Sequence, residues 1–516
     1  MPRPSSARGA AQSFFPGCRT KIIATLGPAS ADDQVLRRLL AAGMDVARLN
    51  FSHGTREEHG RLIGRLRRLA RGAGVPLAIL QDLQGPKIRI GRLAHPVRLQ
   101  EGARVVLTTR HVVGDSERIP IAFPRLPRVV PRGARILLKD GSIELAVLAR
   151  RGHEVRCRVI RGGVLGEHQG VNFPGVQIRG PALTPKDVAD LRFGLRRGVD
   201  YVALSFVRQA ADLRQARRIL GRLGRSSIPL VAKLEKAEAI THLEEIIAEA
   251  DGVMVARGDL GVECSPEAVP LIQKQIIARA NALGIPVITA TQMLESMVHA
   301  ERPTRAETSD VANAVLDGTD AIMLSAETAV GDYPVEAVAE MAAIARAAEA
   351  GIRTGGRPRR SEPPNLLHAI GAAAETLAED LPVAMIIALT TTGGTAQLLS
   401  QLRPPAPVLA CTEDERVARR LSLYWGVRSL VIPFQQTTEA MIRFLDRELV
   451  TRRFVRPGDV VAIVGSVPIV ARGRTNFVQV HRVTRPSRRT PPAPRMRGGR
   501  RAKRAEAGEE SRGRTR

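Results

Sequence analysis

Lysine is scarce in this strongly basic sequence: of 78 Lys and Arg residues only eight are Lys. Where Arg supplies almost every exchangeable cation, a retained Lys marks a position that wants a compact ammonium. Six of the eight (Lys21, Lys87, Lys186, Lys233, Lys236 and Lys274) fall in the motif-bearing segments described below. Aromatic residues make up 3% of the chain, too few for a protein whose main task is stacking nucleic-acid bases. The four cysteines (Cys18, Cys157, Cys264 and Cys411) are far apart and form no C-x-x-C pair. That argues against a disulfide framework or a zinc site and for a reducing, cytoplasmic compartment. No apolar run reaches the ~18 residues of a membrane helix, and residues 1–17 lack the apolar stretch of a secretory signal. These absences describe a soluble cytoplasmic protein with no membrane partner.

The 516 residues, 44% hydrophobic and 25% charged, are globular in composition and suffice for about three domains of ~150 residues. The net charge of +27 overstates any affinity for nucleic acid. Residues 484–516 alone hold 11 Arg, one Lys and three Glu, a net +9, in an Arg/Pro/Gly-rich stretch too poor in apolar residues to bury a core. Disorder is expected there and over 1–17, and any nucleic-acid contact is expected to be a side property of the tail.

Between these ends a strand–helix unit recurs. Strand candidates are 21–27, 45–52, 77–83, 201–207, 229–235, 252–260, 286–294 and 321–329, mostly followed by helical periodicity. Eight such units with polar strand ends favour a closed parallel (β/α)8 barrel over a doubly wound sheet, with 18–87 plus 182–350 forming the barrel. From 88 to 181 helical periodicity vanishes and short Val/Ile/Leu runs alternate with Gly/Pro turns. This predicts an inserted all-β domain, a small β-barrel, emerging where barrel active sites sit; it serves as a lid or as a passive insert. A Gly/Pro/Arg linker (351–365) leads to an open α/β domain over 366–483.

Side chains two apart on a strand point the same way. Strand two thus presents Arg48, Asn50 and Ser52 together, strand five Lys233 and Glu235, and strand six Arg257 and Asp259. Strands three, four, seven and eight end in Asp82, Ser205, Thr291, and Ser325 with Glu327. Burying so many charges separately would be costly, so they are expected to share one mutually neutralising site. Glu235 and Asp259 are hard oxygen donors, few enough to leave Mg²⁺ positions for substrate oxygens. Arg48 and Lys233 supply cations for phosphate or an enolate, and Gly258 allows a close backbone approach to an anion; Arg257 either joins them or pairs neighbouring carboxylates. Two carboxylates alone would also fit glycoside hydrolysis, but the clustered cations disfavour a neutral sugar. In the C-terminal domain TTTGGTAQ (Thr390, Thr391, Thr392, Gly393, Gly394, Thr395 and onward) is an anion cradle by form, and equally an ordinary strand–helix turn.

KIIATLGPAS, ARLNFSHG, QGPKIR, VAKLEKAEAI, MVARGDLG, ITATQMLESM, GVNFPG and the long run PTRAETSDVANAVLDGTDAIMLSAETAVGDYP resemble the pyruvate kinase family, collinearly from about residue 19 to 483. The resemblance implies transfer of phosphate from phosphoenolpyruvate to ADP, giving pyruvate and ATP, with Mg²⁺ (or Mn²⁺) as cofactor. It implies Lys233 as the stabiliser of the transferring group and the enolate, Glu235 and Asp259 as the Mg²⁺ ligands, and Arg48 on the phosphoryl group. Gly258 and Ser205 fall among the substrate-binding positions, and Thr291 near the face of the enolate that is protonated. Asn50, Ser52, His53 and Arg89 fall at nucleotide-binding positions, and Asn50, Ser52, Asp82 and Leu83 at a monovalent-cation pocket. It further implies a homotetramer and a phosphorylated effector at the 390–395 loop. Most of the family carries Glu where this chain has Lys87, and needs K⁺; Lys87 resembles the K⁺-independent branch, its ammonium serving as the K⁺ surrogate. Gln169 and Lys139 also depart from the common lid pattern. The alternative reading is a Mg²⁺-dependent barrel aldolase or lyase of pyruvate-enolate chemistry, for which neither the insert nor the C-terminal domain would be needed.

Overall fold

The computed structural model describes residues 18–178, 180–352, 366–467 and 475–485. The expected 1–17 segment, and nearly all of the 351–365 linker and the 484–516 tail, lie outside the described residues. Eight parallel strands close into a barrel: β1 (Lys21–Thr25), β2 (Met44–Asn50), β3 (Ala78–Asp82), β4 (Tyr201–Leu204), β5 (Leu230–Leu234), β6 (Gly252–Ala256), β7 (Val287–Ala290) and β8 (Ala321–Leu324). Each strand pairs with its neighbours in sequence order, and β8 returns to β1. The helices between them are set by local signals. Arg56–Ala73, Pro185–Arg197 and Arg305–Asp317 each start at a Thr in a capping box and stop at a left-handed Gly.

The strands end earlier than the apolar runs do. After Ala256, Ala290 and Leu324 the chain turns into the short helix Arg257–Glu263, a pair of left-handed residues (Thr291 and Gln292), and the helix turn Ala326–Ala329. Those turns carry the site.

Inward-facing residues fill the barrel in layers. Ile23, Val46, Leu80, Ala203, Val231, Met254, Ile288 and Met323 are buried together in its interior. Two residues further on, the same strand parity presents Thr25, Arg48, Asp82, Ser205 and Lys233, so the apolar interior gives way to a polar mouth at the C-terminal ends.

The inserted domain leaves between β3 and β4 as a six-stranded sheet and a separate two-stranded sheet, with a short helix at Leu126–Val129. The ladder is not closed by full strands, as a β-barrel would be. The gap between edge strands Arg118–Pro120 and Val171–Asn172 is spanned by the hinge segment, where Arg89 bridges Gly170 and Ile90 bridges Ile121. The hinge that leaves the barrel is therefore itself a stave of the lid.

The C-terminal domain is an open five-stranded sheet, four strands parallel and the last (Phe477–Arg482) antiparallel. It docks under the barrel, at the strand N-terminal ends. Lys21 Nζ donates to the Val427 carbonyl (2.7 Å), Tyr201 Oη to the Arg420 carbonyl (2.6 Å) and Ser422 Oγ to the Pro76 carbonyl (2.6 Å). The run ERVARRLSLY reads as one helix, but α-helix stops at Arg420 and Leu421–Leu423 form a 3-10 turn. That turn drives Leu423 into the apolar interior of the barrel, where it is 1% exposed. Leu423→Ala is expected to cost about 2–5 kcal/mol through the void it leaves, read as a lower denaturant midpoint. Among the described residues no helix is long and apolar enough to cross a membrane, and the cysteines are free, with burial holding the Cys157 and Cys411 thiols up at about 12.

Candidate active site

At the barrel mouth β2, β3 and β5 bring three charged groups onto one buried centre. Arg48 donates through Nε and Nη2 to Asp82 Oδ2 (2.9 and 2.6 Å) and through Nη1 to Thr25 Oγ1 (2.8 Å). Lys233 Nζ donates to Ser205 Oγ (2.7 Å) and lies 3.2 Å from Asp82 Oδ1 and 3.0 Å from Glu235 Oε1. An ammonium has three donors, so Lys233 is saturated here, and an incoming oxygen must replace one of its partners.

Burial opposes the charge on Lys233, but Asp82 and Glu235 outweigh it and hold the ammonium above its ordinary pKa. Burial likewise opposes ionisation of Asp82, and Lys233 and Arg48 overcome it, so its pKa is lowered. Glu235 goes the other way: burial, reinforced by repulsion from Asp259, outweighs Lys233 and raises its pKa.

Glu235 and Asp259 are thus close enough to repel. Glu235 Oε2 accepts from the Phe206 backbone N–H (2.8 Å), and Asp259 Oδ1 accepts from Lys87 Nζ (3.1 Å). Phe206 makes that bond from a left-handed conformation, φ +57°. Its ring packs on Gly85, where an added Cβ would come within 3.0 Å of Phe206 Cδ2; at φ +70° a side chain would also be strained. Two mutually repelling carboxylates, each paired with a lysine, are a donor set that a hard dication would relieve while keeping sites for other oxygens.

The remaining expected residues are arranged around this centre. Gly258 N–H donates to Thr291 Oγ1 (3.1 Å), whose own proton goes to the Ala290 carbonyl (2.5 Å). Ser205 Oγ donates to the Leu83 carbonyl (2.8 Å), and Asn50, in register with Asp82, accepts from the Ser52 N–H (3.1 Å). Burial, with the positive charge of Arg89 and Arg48, pushes the His53 pKa down. Arg89 Nη1 donates to the His168 carbonyl in the lid (3.0 Å). The 390–395 loop is not part of this site. It lies in the C-terminal domain, where Gly393 N–H donates to Thr390 Oγ1 (2.9 Å) and Thr395 Oγ1 meets Thr475 Oγ1 (2.7 Å). Gln169 and Lys139 are engaged within the lid, Gln169 accepting from Gly166 N–H and Lys139 donating to the Val164 carbonyl.

Several contributors were not singled out from the sequence. Thr25 anchors Arg48; the strand-one parity through Ile23 was the signal for it. The lid meets the barrel through Asn172 Nδ2, which donates to Glu263 Oε1 (2.8 Å), and Glu263 also pairs with Lys236. Asp140, at the tip of a lid hairpin, comes within 3.8 Å of Lys87 Nζ.

Known proteins carry the same design. Residues 18–338 match the family profile described as pyruvate kinase, barrel domain, and residues 368–481 that of pyruvate kinase, alpha/beta domain. The chain is 46% identical over 470 residues to the pyruvate kinase of Geobacillus stearothermophilus, covering 90% of this chain and 80% of that one. It is 44% identical over 466 residues to the pyruvate kinase of Mycobacterium tuberculosis, covering 90% and 98%. The crystal structure of a pyruvate kinase from Cryptosporidium parvum superposes with a TM-score of 0.85 at 35% identity, covering 93% of this chain and 98% of that one. With both of its domain profiles matched in order and these relatives aligned along nine-tenths of its length, the chain belongs to the pyruvate kinase family.

Proposed function

We propose that the barrel mouth transfers the phosphoryl group of phosphoenolpyruvate to ADP, the phosphotransferase reaction of the family, with the residues above in the following roles. Attack by a β-phosphate oxygen of ADP breaks the bond between phosphorus and the enol oxygen, leaving ATP and the enolate of pyruvate. Carbon 3 of the enolate then takes a proton from water. The observation that carries this reading is the buried Lys233 ammonium, held charged between Asp82 and Glu235 with the Arg48 guanidinium on the same carboxylate.

Arg48 has N–H groups beyond those spent on Asp82 and Thr25, and these face phosphoryl oxygens. Lys233 exchanges one of its three partners for the enol oxygen and stabilises the charge that develops there. Glu235 and Asp259 would hold Mg²⁺, with Mn²⁺ as a substitute; when bound, the dication neutralises phosphoryl charge and polarises substrate oxygens. The Thr291 hydroxyl spends its proton on Ala290 and one lone pair on Gly258 N–H. Its remaining lone pair accepts from water and orients the proton source without being that source. Gly258 and Ser205 line the substrate side, and His53 and Arg89 the nucleotide side toward the lid.

Asn50, Ser52, Asp82 and the Leu83 carbonyl form the monovalent-cation pocket, and Lys87, bonded to Asp259, supplies a fixed positive charge that makes K⁺ dispensable. Lys87→Glu is expected to make activity depend on K⁺, raising it at least ~10-fold on K⁺ addition, as a tenfold change needs only ~1.4 kcal/mol of differential stabilisation. Equal activity of the variant with and without K⁺ would contradict this role. A homotetramer, cytoplasmic residence and a phosphorylated effector at 390–395 complete the proposal. The direct test is pyruvate formation coupled to lactate dehydrogenase, which should require phosphoenolpyruvate, ADP and Mg²⁺ together; pyruvate formed without ADP would point to the lyase reading instead.

A further inference from the structure

Immediately after β7 two successive non-glycine residues, Thr291 and Gln292, adopt left-handed backbone conformations, φ +69° and +53°. L-residues avoid this region, and such strain persists only where surroundings over-determine it. The carbonyls of this turn are held by one side chain. The Arg257 side chain, 9% exposed, donates to three consecutive carbonyls: Ala290 (3.3 Å from Nε), Thr291 (2.7 Å from Nη2) and Gln292 (3.2 Å from Nη2). Asp310, on the helix Arg305–Asp317, takes the end of the fork, its Oδ1 2.8 Å from Nη1 and its Oδ2 2.8 Å from Nη2. The next residue in the chain, Gly258, donates its N–H to the Thr291 hydroxyl. Residues 257 and 258 therefore hold Thr291 at both ends, one by its backbone and one by its side chain.

We propose that Arg257 is a positioning residue for the protonation step. By gripping the 290–292 carbonyls it sets the one Thr291 lone pair left for water. This rests on the reading that Thr291 orients that water. Of the two roles the sequence left open for Arg257, the structure shows the second: its fork pairs with a neighbouring carboxylate, Asp310. Lys cannot replace it, because an ammonium lacks the planar fork that reaches three carbonyls and a carboxylate at once.

The experiment compares R257Q and D310N in wild-type and T291A backgrounds. Two rates are read on each full-length enzyme: ADP-dependent pyruvate formation, and exchange of pyruvate methyl protons for deuterium in D2O with ATP and Mg²⁺ present. In that exchange a C3 proton leaves to solvent and a deuteron returns, with no net phosphoryl transfer. The expected results are a roughly 10- to 100-fold loss of exchange in R257Q, as for a displaced catalytic group, and a smaller loss in D310N. The KM for phosphoenolpyruvate should hardly change, and neither substitution should lower exchange further once Thr291 is Ala. A structural role would lower exchange by the same factor in both backgrounds, and that result, or unchanged exchange in R257Q, overturns the proposal. If R257Q does not fold, as judged by its thermal melt, D310N decides by the same comparison. Undiminished exchange in T291A alone removes the role of Thr291 and this proposal with it, while intact ADP-dependent pyruvate formation would leave the phosphoryl-transfer reading standing.

Discussion

Lys233→Met is expected to lower kcat for pyruvate formation by about 10²- to 10³-fold, the scale on which a single preorganised stabiliser acts. The methionine fills much of the lysine volume but supplies no charge to the enol oxygen. The same change removes a cation from a centre where Asp82 is 1% and Glu235 2% exposed. Breaking a buried ion cluster by deleting one member costs about 3–5 kcal/mol. Arg48 remains on Asp82, so the loss falls mainly on Glu235, whose pKa burial and repulsion from Asp259 already raise. The variant should therefore melt earlier than wild type yet remain folded at 25 °C, and circular dichroism at the assay temperature separates lost chemistry from lost structure. A folded variant with wild-type turnover would refute the role given to Lys233.

Glu235→Gln tests the metal reading with almost no change of shape, since an amide oxygen can still accept from the Phe206 N–H. The apparent KM for Mg²⁺ should rise by about 10- to 100-fold, the range seen when support for a metal ligand is lost. Mn²⁺ binding followed by electron paramagnetic resonance should weaken in parallel, independently of turnover. Because the Glu235 pKa is raised, protons compete with the metal at higher pH than at an ordinary carboxylate, so in wild type the apparent KM for Mg²⁺ should climb as pH falls. In E235Q that dependence should flatten. Unaltered metal affinity in E235Q would mean that the dication is held elsewhere.

Strand parity carried the sequence reading furthest. Arg48 with Asn50, and Lys233 with Glu235, follow from the period of two, which continues from buried residues such as Val46 and Val231 to the mouth. Periodicity gives the side a residue faces but not its partner across the barrel. Hence the Arg48–Asp82 pair, two N–H groups on one carboxylate oxygen, and the Lys87–Asp259 contact appear only in the structure. The strand ends were misjudged at β6, β7 and β8 because apolar residues continue past the last ladder bond, and the left-handed turn at Thr291 has no glycine to announce it. Leu423 was invisible for a related reason: a leucine that caps the barrel interior looks like one on the apolar face of a helix. The lid contact through Asn172 and Glu263 joins residues 91 positions apart, beyond any local pattern.

The central claim is that this cluster moves a phosphoryl group rather than merely releasing one. Phosphorus NMR of wild type mixed with phosphoenolpyruvate, ADP and Mg²⁺ reads that directly. The γ-phosphate resonance of ATP should grow as that of phosphoenolpyruvate decays, and both should stay nearly still with K233M. Inorganic phosphate in place of ATP, or equal ATP formation by the variant, would contradict the account.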